Sequence, residues 1–535
     1  MKNASYSEPF LRIRDNPLLH AQARRRTRPK PFFTMVALVG LFCIWTIWMA
    51  GTAGGNGYHF VVGACNTLIG FLFLLRATSN ISATVIFDRT SGLLDFHRAS
   101  PTTPLTDAVG YIVGSSAREY VGSGIAALTA LYGMLQIGVP FGNALAGLFV
   151  LFLTGLTYQC FGLFTGLVFD KQRAAKGTAI SIVISLLLLS SLFSAGALAP
   201  LYHLTPYPAL ADLGIYGSQA DQISQPLHFF TIKIQPVLYT LIIQSLAISF
   251  TLWCACRRLA RTEAVAISRK AGLIFGTLLI FLALGSLWPL LSTLPEIDLS
   301  SAANPPNDLF DLSGARGFLG LGVLISGGIL ITAGFLVIAA PRRLHAARAW
   351  RRAKAKNRKR ASWLDDGGPV EEILLCHTAI LWACVLAAFF EASNHDFTFL
   401  KHPDTLLLML AIPFILALAT YSTTVSRIGG SSNRGTFWVI LLTIGPFLLA
   451  LSLEISGQMG WEKSQYILFL SPLTAIAGAP YCAIYSLIES KPSPENIPEL
   501  NSAVVWCSVL VAGLLAFAAI RLTRSKWQAL EKTLD

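Results

Sequence analysis

Apolar residues in this chain fall in long unbroken runs separated by short polar breaks, not at the i, i+3, i+4 spacing of a soluble amphipathic helix. The first run, FFTMVALVGLFCIWTIWMAG, covers 32–51. Others near 59–80, 106–135, 141–168, 177–199 and 236–256 end at the basic stretch RRLARTEAVAISRK. A second set lies near 272–291, 315–340, 371–391, 402–422, 436–455 and 502–520. A run of about 20 residues is what a helix needs to cross a hydrocarbon core of about 30 Å, and the bilayer leaves helix as the default because no backbone group can stay unpaired there. The pattern predicts an all-α polytopic membrane protein with about twelve transmembrane helices in two six-helix halves and both termini cytoplasmic.

Charge sets the orientation. RRRTRPKP precedes the first run and RRLHAARAWRRAKAKNRKR follows the run at 315–340, so both belong on the cytoplasmic side, while the loop 292–314 carries four acidic residues and, before Arg316, no basic one. A further apolar stretch, 466–488, contains Pro472, Gly478 and Pro480. If it crossed, the basic tail RLTRSKWQALEK would lie outside, so it is expected to be a re-entrant or surface element on the outer side. About thirty polar residues precede the first run, so that run is expected to act as its own uncleaved signal. The expected organisation is a basic arm at 1–31, a first six-span unit at 32–260, and a second at 261–535 with a basic cytoplasmic loop at 341–370. The expected location is the inner (plasma) membrane, in multi-pass form.

Composition adds little to this. The chain has 535 residues, 54% hydrophobic and 13% charged, which excludes an ordinary water-soluble globule. A net charge of +13 in a membrane chain reflects cytoplasmic loops, not a nucleic-acid partner. No CxxC pair, HExxH, GxSxG or GxxxxGK[ST] occurs, so neither a metal nor a cofactor is expected, and no P-loop of its own would bind ATP. Most of the nine cysteines, including Cys43, Cys65 and Cys160, are expected to pack as small hydrophobes. His97, His203, His228 and His377 are scattered and expected at the surface or interface.

Charges inside the runs are more informative, because an ionised side chain in a span is costly and normally faces a partner or a wet path. Arg76 lies late in the second run and is placed to snorkel inward; Arg118 and Glu119 sit in the third. Adjacent on a helix, Arg118 and Glu119 are expected to point at different partners.

Between the second and third runs lies FDRTSGLLDFHRASPTTPLTDAVG, residues 87–110. Its charges and prolines predict a short, roughly amphipathic helix on the inner surface, stopped by Pro101 and Pro104, with Thr106 or Asp107 capping the next helix. The order of residues here resembles the type-2 ABC exporter permeases, in which an acidic-Gly-Thr-Leu pattern leads into Thr-Pro-Leu-Ser and Gly-Lys. The matching positions are Asp88, Arg89, Gly92, Leu94, Asp95, Pro101 and Gly110; Leu93, Thr102 and Tyr111 depart from the pattern. NPLLHAQARRRTR, 16–28, is similar to the Asn-Pro arm that opens many of these permeases, with Gln22 where a glutamate is common, and TPYPAL and SPLTAI resemble their outer segments.

The resemblance implies a permease subunit without an ATPase site, working with a separate ATP-binding cassette subunit that holds the ATP. Asp88, Arg89, Gly92, Leu94, Asp95, Phe96 and Pro101 would then form the coupling surface, and a homodimer is possible. The alternative is an ion-driven secondary carrier of the major facilitator type, which also has twelve spans in two halves. That class puts its long basic loop between spans six and seven, whereas here it falls between eight and nine.

Overall fold

The structure is a computed structural model describing residues 16–53, 57–99, 102–169, 171–188, 196–215, 227–261, 265, 267–292, 313–341, 343–355, 366–368, 370–393, 395, 397–428, 472–489 and 502–534. These divide into two compact units: the first runs to residue 266 apart from 195–198 and 229–231, and the second takes in those two pieces and everything from 267 on.

In the first unit an arm helix α1 (Pro17–Arg26) leads into α2 (Pro29–Ala53) and then α3 (Gly57–Thr90), which contains a π-helical stretch, Gly70–Arg76. Next come α4 (Leu93–Ala99), α5 (Pro104–Val109), a π turn Gly110–Gly114, α6 (Ala117–Gln136), α7 (Phe141–Val168) and α8 (Gln172–Leu188). Two short helices, α9 (Ala199–Tyr202) and α10 (Tyr207–Asp212), and a two-stranded hairpin precede α11 (Pro236–Ala260). The second unit holds α12 (Arg269–Ser292), α13 (Ser313–Ala339), α14 (Arg343–Ala355), α15 (Glu371–Ala392), α16 (Pro403–Ile428), α17 (Pro472–Glu489) and α18 (Ser502–Leu534).

Among the described residues nine helices are long and apolar enough to cross a membrane: α2, α3, α7, α11, α12, α13, α15, α16 and α18. The differences from the expected spans have physical causes. The run at 106–135 is not one helix, because Ser115 and Ser116 turn their hydroxyls back onto the carbonyls of Tyr111 and Ile112 and the chain breaks at Ser116. The run at 177–199 starts earlier, as α8, and 436–455 lies outside the described residues. α3 runs to Thr90, so the end of the second span and the start of the inner segment are one helix. Of the stretch expected at 466–488, the described part from Pro472 on forms α17, helical straight through Pro480 and packed against α16 and α18, which cover the backbone a proline exposes.

Small residues set the packing of the first unit. Built at Gly162 and Gly166 of α7, a Cβ would come within 2.5 Å of the Thr78 carbonyl oxygen and 2.8 Å of that of Ser82, so α7 and α3 approach to backbone contact. Their core includes Phe73, Leu151 and Tyr158. At the end of the unit that holds the arm, a separate cluster joins Leu18 of the arm, Ile81 and Val85 of α3, Leu94 of α4, Tyr111, Leu163 and Leu259.

Candidate functional site at the inner end of the first unit

The site starts with how α3 stops. Gly92 has φ +78, a left-handed backbone that a side chain resists, and it turns the chain from α3 into α4. α5 restarts at Pro104, whose missing N–H fits a first helical position. Thr103 therefore sits extended as the cap, its Oγ1 accepting from Thr106 N at 3.2 Å. The cap is thus Thr103, not Thr106 or Asp107.

The arm is fixed by polar contacts. Asn16 Oδ1 accepts from the amides of Leu18 and Leu19, at 3.0 and 3.4 Å, capping α1, while its Nδ2 donates to the Thr106 carbonyl at 2.7 Å. Gln22 donates to Asp88 Oδ2 at 3.0 Å, and Tyr111 donates to the same oxygen at 3.1 Å. A glutamate at 22 would set two carboxylates together in a buried site; the amide supplies the donor instead. Gly110 and Gly114 make room for this: a Cβ at Gly110 would meet Asn16 Nδ2 at 2.8 Å, and one at Gly114 would meet the Leu19 carbonyl at 2.9 Å.

Arginines tie the inner helix to its neighbours. Arg89 donates to the carbonyls of Leu167 and Phe169, at 2.8 and 2.6 Å, satisfying the open C-terminal end of α7. Arg98 does the same for α11, donating to Leu259 O at 2.7 Å and Arg258 O at 3.1 Å while also pairing with Asp95. α4 is thus bolted to the last turn of α11.

The expected coupling residues therefore divide. Asp88 is fully buried, Leu94 is 2% exposed, and Arg89 is spent on α7. Asp95, with its side chain 68% exposed, and Leu93, at 44%, face outward. Phe87 is also exposed, under the Arg25 guanidinium at 5.2 Å. Phe96 lies on α4 but its side chain, like all of Pro101, is outside the described residues.

The intramembrane charges meet at one point. Glu119, fully buried, accepts on Oε1 from Arg118 at 3.0 Å and Asn80 at 2.9 Å, with Arg76 Nε at 3.4 Å. Arg118 and Glu119 thus pair with each other, a contact the sequence reading did not expect, and Glu119 meets Asn80 and Arg76 as well. The break at Ser116 leaves them in the first turn of α6, where the long Arg118 side chain can fold back onto its neighbour. Arg26 of the arm bonds Thr84 at 3.1 Å. Burial holds its pKa below the ordinary value, with Glu119 opposing and Arg118, Arg25 and Arg76 adding to the depression.

Two histidine expectations are corrected: His203 and His377 are buried. His203 lies within 2.8 Å of Thr240 Oγ1 and stands edge-on to Tyr239; His377 is within 2.8 Å of the Ile373 carbonyl. The anchoring roles of Asn16, Arg26, Arg98 and Tyr111 were missed; only the Asn-Pro pair carried a local signal, that of a helix cap.

These features define a multi-pass helical membrane protein whose first unit carries a short helix, α4, at the ends of two spans and packed beside an N-terminal arm. Residues 22–207, about a third of the chain, match the family model described as ABC-2 type transporter, so this part of the chain is similar to the membrane domains of that family. No curated protein and no solved structure matches the chain.

Proposed function

We propose that the chain is the permease subunit of an ATP-driven exporter, coupled to a separate ATP-binding subunit through α4 and the turn at Gly92, in the inner (plasma) membrane. The observation that carries this reading is the way α4 is held. Arg89, in the last turn of α3, grips the end of α7 and Arg98 of α4 grips the end of α11, while Leu93 is exposed and Asp95, paired with Arg98, keeps most of its side chain exposed. A cytoplasmic motor moves membrane helices only through a rigid element that touches both, and α4 has that form. An exposed leucine beside an exposed carboxylate suits a partner surface, the one supplying contact area and the other register. The two units would be two six-span permease halves in one chain, acting alone or as a homodimer.

The test is co-purification of the full chain with its ATP-binding subunit. Changing Leu93→Ala and Asp95→Ala together is expected to lower capture at least tenfold and to remove transport-linked ATP hydrolysis, while the thermal unfolding midpoint stays unchanged. Full capture and full flux by that variant would refute coupling at α4.

A further inference from the structure

The second unit has no counterpart of the Asp88–Gly110 motif where its inner segment should be, and carries α14 instead. Arg343, Arg348, Arg351, Arg352 and Lys354 lie on this helix with no acidic residue among them, and all five are exposed. Its opposite face is alanine: Ala346, Ala349 and Ala353 are buried, with Ala346 against Ile428 of α16 and Leu530 of α18. The short side chains hold the helix close to the unit, so the cationic face is presented outward as a fixed surface.

Its level in the membrane is fixed too. α14 begins four residues after the apolar helix α13 ends at Ala339, and Arg427 at the end of α16 donates to Ala340 O at 2.8 Å and Ile338 O at 3.3 Å. The root of α14 is therefore tied to the ends of two spans. α18 passes the same level: Thr523 donates to Tyr421 O at 3.3 Å, and Leu530 packs on Ile428. That part of α18 adds Arg521, Arg524 and Lys526, all exposed. Trp350 and Trp527 lie half-buried beside them and Leu344 is exposed, the mixture of aromatic, apolar and basic side chains that sits at a headgroup boundary.

We propose that α14 and the end of α18 form a binding surface for anionic phospholipid headgroups of the inner leaflet. The partner chemistry follows from the charge and the level together: a fixed row of guanidinium groups at the ends of spans meets lipid phosphates before anything else, and each basic side chain near such a surface adds to the attraction. This inference does not rest on coupling to an ATP-binding subunit.

The experiment uses the purified full chain reconstituted in phosphatidylcholine vesicles, with spin-labelled phosphatidylglycerol or phosphatidylcholine as the probe, and reads the motionally restricted lipid by electron paramagnetic resonance. The native chain is expected to prefer the phosphatidylglycerol probe, and 1 M salt is expected to weaken that preference. Changing Arg343, Arg351 and Arg352 together to Gln is expected to cut it about fivefold or more, while changing the same three to Lys retains it. Absence of a preference in the native chain, or its survival in the glutamine variant, overturns the proposal. So does loss of ATP-binding subunit capture with lipid preference intact, which would make the surface a protein-docking face. If the glutamine variant fails to fold, the salt response and the lysine variant decide.

Discussion

Glu119 concentrates the electrostatics of the first unit on one oxygen. Its Oε1 is shared by Arg76, Arg118 and Asn80, and its Oε2 is buried without a hydrogen-bond partner among the described residues. Removing a buried member of such a set leaves opposite charge uncompensated, typically at about 3–5 kcal/mol, whereas a half-exposed member is rescued by its surroundings. Arg76, with its side chain 42% exposed, is the rescued kind. Glu119→Gln is therefore expected to lower the thermal unfolding midpoint in detergent clearly more than Arg76→Gln; equal effects would mean the cluster is not a unit. His203 gives a pH prediction. Burial pushes its pKa down to about 3 from an unfolded value near 6.5, so the folded state resists protonation. The unfolded chain then binds more protons as pH falls through 6.5 toward 3, and stability drops over that window. His203→Asn, which can keep a hydrogen bond to Thr240, is expected to flatten the fall in unfolding midpoint between pH 6.5 and 4.5 while leaving its value at pH 8 lower or unchanged.

Arginine side chains closing helix C-termini recur among the elements of both units. Arg89 and Arg98 do this for α7 and α11; Arg269, buried, donates to Ala339 O at 3.3 Å and Gly368 O at 2.9 Å, and Arg427 takes the neighbouring carbonyls of α13. The planar guanidinium reaches two carbonyls at once, which a lysine cannot. Arg89→Lys is thus expected to cost about 1–2 kcal/mol and to raise hydrogen exchange in the last turn of α7 more than in its middle. The arm gives the converse case, where space matters more than charge. Gly114→Ala puts a methyl 2.9 Å from the Leu19 carbonyl and 3.0 Å from Gln22 Cβ, so α1 must shift; loss of about 1–3 kcal/mol and faster proteolysis of the arm are expected. This element scale is also where sequence reading ran out. Long apolar runs and the helix stop at Pro101 and Pro104 are local patterns and were legible, whereas the cap at Asn16 and the turn at Gly92 were not read from the sequence. That Asp88 is held by Gln22, 66 residues away, or that Arg98 reaches α11, 161 residues on, is set by packing that no local pattern encodes. The Ser116 break was likewise hidden, because serine is tolerated in membrane helices until its hydroxyl competes for the backbone.

At the scale of the whole molecule the number of crossings decides which side each basic cluster faces. Nine helices among the described residues qualify by length and apolarity. An odd count would put Arg24 of the arm and Lys532 of the tail on opposite sides. The distribution of charge argues against that. Basic residues cluster on α1, at the end of α11 in Arg257 and Arg258, on α14 and on the last turns of α18, and loops rich in Lys and Arg stay cytoplasmic. The expected even number, twelve with α17 not crossing fully, needs α5 to α6, α8 and the run at 436–455, which lies outside the described residues, to cross in addition to the nine. Single cysteines placed at positions 24, 351 and 532 of a chain whose nine native cysteines are replaced by Ser or Ala should all resist a membrane-impermeant maleimide in intact cells and all react after lysis. Labelling of position 532 alone in intact cells would show that α17 crosses as a full span and that the chain makes an odd number of passes. Labelling of position 351 would instead invert the second unit, and would remove the inner leaflet from reach of α14.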